Sequence, residues 1–184
     1  VTRVHAGNGA LLAEYASEKR LFVPVEAIPP QLIQAFISAE DKAFFEHFGI
    51  DLRAMLRAII TNVVNYGSGR RPVGASTITQ QVTKNFLLTN EVSIERKIKE
   101  AILSLRMERA FTKGQILALY LNEIYLGRGS YGVAAAALKY FDKSLDQLNL
   151  QEMAYLAALP KAPNNYHPTH NRRAATARRN WVLR

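Results

Sequence analysis

Among the residues able to do chemistry, Glu40 is the first anomaly. It follows Phe36 by four positions and Ile37 by three, so on a helix its carboxylate shares the face of an apolar stripe. Loss of water raises a carboxylate's pKa and makes it a better proton acceptor near neutral pH. A glutamate at the edge of the stripe, paired with a base, is the plainer alternative. Asp41 follows directly, and the run Glu40-Asp41-Lys42-Ala43-Phe44-Phe45-Glu46-His47-Phe48-Gly49 holds both the polar groups and the aromatic walls from which a pocket is built. His47 could orient a carboxylate or bind phosphate, or serve as a local cap.

A second constellation runs Gly74-Ala75-Ser76-Thr77-Ile78-Thr79-Gln80-Gln81 and ends at Lys84. A turn of small residues entering a helix offers backbone N–H groups to an anion, with the Ser76 and Thr77 hydroxyls beside them. Helix capping alone explains Thr77 and Gln80, but not Gln81 or Lys84. The third is Arg96-Lys97-Ile98-Lys99-Glu100, where Arg96 and Lys97 stand one helical turn before Glu100 and share its face. A solvated ion-paired face accounts for that segment equally well.

Composition narrows the classes. The 184 residues carry 24 Lys+Arg against 15 Asp+Glu, a formal charge of +9, which suits an anionic partner: nucleic acid, a phospholipid surface or a phosphorylated substrate. With no cysteine, thiol catalysis, disulfides and cysteine-ligated zinc are excluded. The chain lacks a Walker A ending and a Rossmann glycine fingerprint, which disfavours nucleotide hydrolysis. No recognised nucleic-acid motif is present, so no nucleic-acid partner is expected. No run approaches the roughly 20 apolar residues that span a bilayer. The start at Val1 and the stop within the helical pattern Asn180-Trp181-Val182-Leu183-Arg184 read as a domain cut from a longer protein.

The elements that must hold these groups are nearly all helical. Residues 1–28 form an extended or hairpin-like lead-in, with Gly7-Asn8-Gly9 breaking an alternating stretch and Leu21-Phe22-Val23-Pro24-Val25 reading as a short strand. Residues 29–184 form the main domain. Its first helix opens at Pro29-Pro30 and runs to about Phe45, with Leu32, Ile33, Phe36, Ile37 and Phe44 on one stripe. Asp51 caps a second helix carrying Leu52, Met55, Leu56, Ile59, Ile60 and Val63, which ends at Gly67 before the basic loop Ser68-Gly69-Arg70-Arg71-Pro72. That helix is apolar around much of its circumference and flanked by Arg53 and Arg57; it suits either a membrane interface or full burial. Thr77 with Gln80, Thr112 with Gln115 and Asn149 with Glu152 have capping-box spacing. A basic helix containing Arg172, Arg173, Arg178 and Arg179 closes the domain.

Together these segments resemble the peptidoglycan glycosyltransferase family of class A penicillin-binding proteins and monofunctional transglycosylases. The family's first motif is matched by Glu40, Asp41, Phe44, His47 and Gly49, its second by Gly74 through Lys84, and its third by Arg96, Lys97 and Glu100. Its fourth is seen in Lys113-Gly114-Gln115-Ile116-Leu117-Ala118-Leu119-Tyr120-Leu121-Asn122. The similarity continues through Gly132-Val133-Ala134-Ala135-Ala136-Ala137 and Leu159-Pro160-Lys161-Ala162-Pro163, nearly to the C-terminus. One departure is Val92, which stands where many relatives carry a basic residue; Arg70 or Arg71 could compensate.

The resemblance implies a mainly α, lysozyme-like, two-lobed domain whose cleft takes a growing lipid-linked glycan as donor and lipid II as acceptor. Glu40 and Glu100 would be the catalytic pair. Glu40 would deprotonate the acceptor 4-hydroxyl, inverting the donor anomeric carbon to a β-1,4 bond as polyprenyl pyrophosphate leaves. Asp41, Phe44, His47, Ser76, Thr77, Gln80, Gln81, Lys84, Arg96, Lys97 and Asn122 would bind substrate. No organic cofactor and no protein-ligated metal are expected; Mg2+ or Mn2+, if used, would be held largely by the substrate pyrophosphate. The implied setting is the outer, periplasmic face of the bacterial cell membrane, with the domain at the membrane interface and a transpeptidase domain following in the full-length protein. A lysozyme-like glycosidase acting on peptidoglycan is the rival, since paired carboxylates serve hydrolysis too. The cations at Lys84, Arg96 and Lys97 favour pyrophosphate departure over cleavage of a neutral glycan.

Overall fold

Short β structure leads the chain, and helices take over from Pro30 onward. The computed structural model describes residues 2–5, 7, 11–15, 19–69, 72–87, 93–166 and 171–184. Arg70, Arg71 and Val92 lie outside the described residues. Strands β1 (Thr2–His5) and β2 (Leu11–Tyr15) pair antiparallel, the hairpin expected of the lead-in.

The strand expected over Leu21–Val25 does not form. Only β3 (Lys19–Arg20) pairs, parallel to β4 (Ser130–Tyr131), and Val25–Ala27 is a single turn of 3-10 helix behind Pro24. A strand needs a neighbouring backbone. At Val23 that role falls to a side chain: the Asn122 amide donates to Val23 O and accepts from Val23 N, both at 2.8 Å. This clamps the lead-in to the helical body.

Helix α1 (Pro30–Glu40) starts with Pro30 at its first position, where a missing N–H costs nothing. It stops at Glu40, not near Phe45. Asp41 leaves helical conformation (φ −158°, ψ 77°), and the following turns carry the chain back to Gly49. Leu32, Phe36 and Ile37 are buried from α1, while Phe44 is buried from the turn that follows. Gly49 has φ +89°, and a Cβ there would lie 2.8 Å from Ser104 O, so only glycine fits this corner.

The Asp51 side chain accepts from Ala54 N at 2.8 Å and caps α2 (Leu52–Val64), which ends three residues before Gly67. Only Ala58 of this helix is buried, so full burial is overturned. Leu52, Leu56, Ile59, Ile60, Val63 and Val64 are each more than half exposed.

Helix α3 (Ile78–Leu87) packs against α4 (Ile94–Ala110) and α5 (Lys113–Glu123). Helices α6 (Val133–Phe141), α7 (Leu150–Ala158) and α8 (Arg172–Val182) complete the body; α7 packs on both α1 and α8. All three capping boxes form, at Thr77/Gln80, Thr112/Gln115 and Asn149/Glu152, each cap contributing about 1 kcal/mol. The core beneath α1 joins Leu32 and Phe36 to Ile116, Tyr120 and Leu121 of α5 and Leu156 of α7. The expected class, mainly α with a short β lead-in, is therefore the one observed.

Candidate active site

Glu40 occupies the last position of α1, where the helix ends against a cleft. On one side lies a cavity of about 800 Å³ reached also by Ser76, Gln81, Lys161, Arg178 and Trp181. On the other lies a smaller one of about 370 Å³, bordered by Lys42, Glu46, Ala54, Arg57 and Thr77. Ala39, Glu40, Gly74, Ser76 and Trp181 border both, so the carboxylate stands where the two cavities meet.

Burial pushes the Glu40 carboxyl above its ordinary value of 4.5. The hydrogen bond from Gln81 Nε2, at 3.0 Å, and the charges of Arg178 and Lys161 pull it back, while Asp41 pushes it further up. Below, Tyr120 is buried with its hydroxyl unpartnered among the described residues. Burial, with Glu40 and Asp41 nearby, pushes that phenol well above its ordinary range. Glu40 is thus a desolvated carboxylate open to a cleft, the condition for a general base near neutral pH.

The residues around Glu40 form its mounting. Asp41 is 7% exposed; its carboxylate accepts from Ile78 N at 3.0 Å, at the start of α3. Both its oxygens are also 3.0 Å from His47 Nε2. His47 Nδ1 accepts from Gly49 N, so the proton belongs on Nε2, which donates to Asp41. The Thr77 hydroxyl donates to Gly49 O at 2.7 Å. Lys113 donates to His47 O and to Glu108, and its ammonium sits 4.4 Å from the centre of the Phe44 ring. The Thr79 hydroxyl also donates to Glu108, at 2.6 Å. These contacts tie the end of α1, the turn to Gly49 and the start of α3 into one unit.

Glu100 has a different setting. Its side chain is 1% exposed and pairs with Arg96, at 3.2 Å, and with Lys97. Lys97 Nζ also donates to Ser76 Oγ at 3.0 Å, which carries this charged group to the wall of the larger cavity. Ser104 bonds back to Glu100 O and contacts Thr83 Oγ1 across the α3–α4 seam.

Of the residues expected from the sequence, the structure brings Glu40, Ser76 and Gln81 to the cleft, with Lys97 and Glu100 immediately behind Ser76. Phe44, His47 and Gln80 are held within the mounting and border neither cavity, while Asp41 and Thr77 belong to the mounting and also border the smaller cavity. Asn122 is elsewhere: its amide is committed to Val23 and to Ala118 O at 2.7 Å. Lys84 is exposed on the last turn of α3 and borders neither cavity. Lys161, Arg178 and Trp181 are cleft residues not singled out for the site from the sequence; no spacing links them to Glu40, and tertiary packing does. Lys161 comes from the turn after α7, which packs on α1, and Arg178 and Trp181 come from α8, which packs on α1 and α7.

Among the described residues no group of three His, Asp or Glu gathers to hold a metal. Glu100 is already neutralised by two cations, so its surroundings do not fit a protein-ligated divalent ion.

A model of the transglycosylase family matches residues 8–184. The chain is 57% identical over 183 residues to penicillin-binding protein 1A of Rickettsia felis, covering 100% of this chain and 23% of that protein. It is 47% identical over 181 residues to penicillin-binding protein 1A of Escherichia coli, covering 98% and 21%. Among solved structures it is similar to penicillin-binding protein 1A from Haemophilus influenzae, with a TM-score of 0.55 and 29% identity over 98% of this chain and 17% of that one. The chain thus spans about a quarter of the length of the relatives it matches.

Proposed function

This chain belongs to the transglycosylase family, and we propose that it is a peptidoglycan glycosyltransferase, joining lipid II to a growing lipid-linked glycan through β-1,4 bonds. The observation that carries the reading is Glu40 itself: a desolvated carboxylate at the meeting point of two cavities, with cations reaching its rim.

In the proposed reaction the acceptor's 4-hydroxyl enters beside Glu40, which takes its proton. The oxygen attacks the donor's anomeric carbon as the bond from that carbon to the pyrophosphate breaks, inverting the centre. Polyprenyl pyrophosphate departs with the electron pair. Lys97, fixed between Glu100 and Ser76, and Arg96 behind it offer preorganised positive charge to the leaving group. Mg2+ or Mn2+, where present, would be held by the pyrophosphate oxygens.

The exposed apolar side of α2, with Arg53 and Arg57 also exposed, supports a seat in a membrane interface. No described helix is long and apolar enough to cross a membrane. We place the domain at the outer face of the bacterial membrane, within a longer protein that carries a transpeptidase domain. Ile60→Asp is expected to weaken binding to anionic vesicles in a flotation assay, with stability changed by no more than about 0.5 kcal/mol.

The direct test is incubation with labelled lipid II and separation of products by length, beside Glu40→Gln. Glycan ladders that vanish in the variant support the proposal. Folded protein that makes none, yet cleaves preformed glycan, would replace it with the glycosidase reading.

A further inference from the structure

Trp181 is the chain's only tryptophan, and it stands in an unusual place. It lies on the last turn of α8, 46% exposed, and it borders both cavities that meet at Glu40. Half of the other exposed large apolar side chains lie on α2 and α4. Trp181 instead faces a cleft whose rim holds amides and a hydroxyl: Gln81, Asn165, Asn171 and Ser76.

Its orientation is held. The guanidinium of Arg178, one turn earlier on α8, lies 3.8 Å from the centre of the indole ring. Arg178 Nε is buried and unpartnered among the described residues, so stacking, not a hydrogen bond from that nitrogen, holds this end of the arginine. A stacked arginine restricts the indole before any ligand arrives, and a preorganised aromatic loses little entropy on binding.

We propose that Trp181, clamped by Arg178, is a stacking platform for a pyranose ring of the glycan where it passes Glu40. A sugar ring presents a flat face of C–H groups and an edge of hydroxyls. It is matched by an aromatic surface surrounded by amides and hydroxyls, the set found here. Apolar groups, among them Val73, Ala162 and Ala174, also line the cleft, but they alternate with amides and cations, whereas α2 offers the larger exposed apolar side to an acyl chain. The proposal rests on the glycan-polymerase reading and adds a residue that fixes the sugar's height over the base.

Because Trp181 is the sole tryptophan of these 184 residues, its emission in the 184-residue protein reports the site directly. The probe is a β-1,4-linked N-acetylglucosamine tetrasaccharide titrated into the protein in neutral detergent, with inorganic diphosphate and anionic phospholipid vesicles as separate arms. A saturable change in emission with the tetrasaccharide, persisting at saturating diphosphate, is expected. In polymerisation assays Trp181→Leu should raise the KM for lipid-linked glycan roughly tenfold with little change in kcat, and Trp181→Phe should retain most of the affinity. Thermal melts of both variants separate this from misfolding.

An emission response to vesicles or diphosphate alone, with none to the tetrasaccharide, overturns the platform. So does a Trp181→Leu variant that melts like wild type and loses kcat at unchanged KM. Tetrasaccharide binding at Trp181 in a protein that never polymerises lipid II would sink the polymerase reading and leave the platform standing.

Discussion

Glu40 is half-buried at the cleft and Glu100 is buried, and one accepts a hydrogen bond from an amide while the other is gripped by two cations. At Glu40, burial outweighs the distant charges of Arg178 and Lys161, and the carboxyl is pushed up. At Glu100, Arg96 and Lys97 sit in direct contact and leave an ion cluster reaching the cleft through Ser76. A residue type shared by two motifs therefore has two uses. A poorly solvated carboxylate can take a proton, whereas a carboxylate bound by cations is better suited to holding those cations in place.

The contrast can be tested by removing each charge. Glu40→Gln is expected to lower kcat by about 10² to 10⁴ in the ladder assay, the range for loss of a general base. Its stability should move the other way. A carboxyl whose folded pKa is raised favours folding in its protonated form, and that contribution is lost as pH rises from 4.5 through the folded value. Near neutral pH the ionised Glu40 destabilises the protein, so Glu40→Gln should be at least as resistant to urea as wild type, and this advantage should disappear at acid pH.

Glu100→Gln should behave in the opposite sense, losing about 10² in activity and also about 1–3 kcal/mol of stability, because Arg96 and Lys97 lose a buried counter-charge. A Glu100→Gln variant as stable as wild type would break the comparison.

Arg178→Met sharpens it with a smaller effect. The arginine's charge lowers the Glu40 pKa, so its removal should move the acid limb of the kcat/KM profile to higher pH. The loss of activity should then shrink toward the alkaline end. The freed Trp181 adds a pH-independent loss, so it is an acid limb that does not move that would mean Arg178 does not tune the base.

Much of the fold was legible because its signals are local. Asp51 capping α2 and the three capping boxes are decided by residues three positions apart. The motif around Glu40 was legible as a unit for a related reason, since His47 contacts both Asp41 and Gly49 within one short stretch of chain. Two local readings failed where a distant partner intervened. Helix α1 ends at Glu40 as Asp41 turns away and its side chain accepts from Ile78 N on α3, and among the described residues no strand neighbours 21–25.

By itself the sequence determined which groups are present and, through helical spacing, that Glu40 leaves an apolar face and that Arg96, Lys97 and Glu100 share one. What the tertiary structure alone decided is which of those groups meet. The packing of α8 against α1 and α7 sets Trp181 and Arg178 beside a glutamate more than a hundred positions earlier in the chain. The α3–α4 seam brings Lys97 to Ser76. Helix periodicity is a property of neighbouring residues, but a cleft is made by surfaces that touch only after the chain has closed over its core.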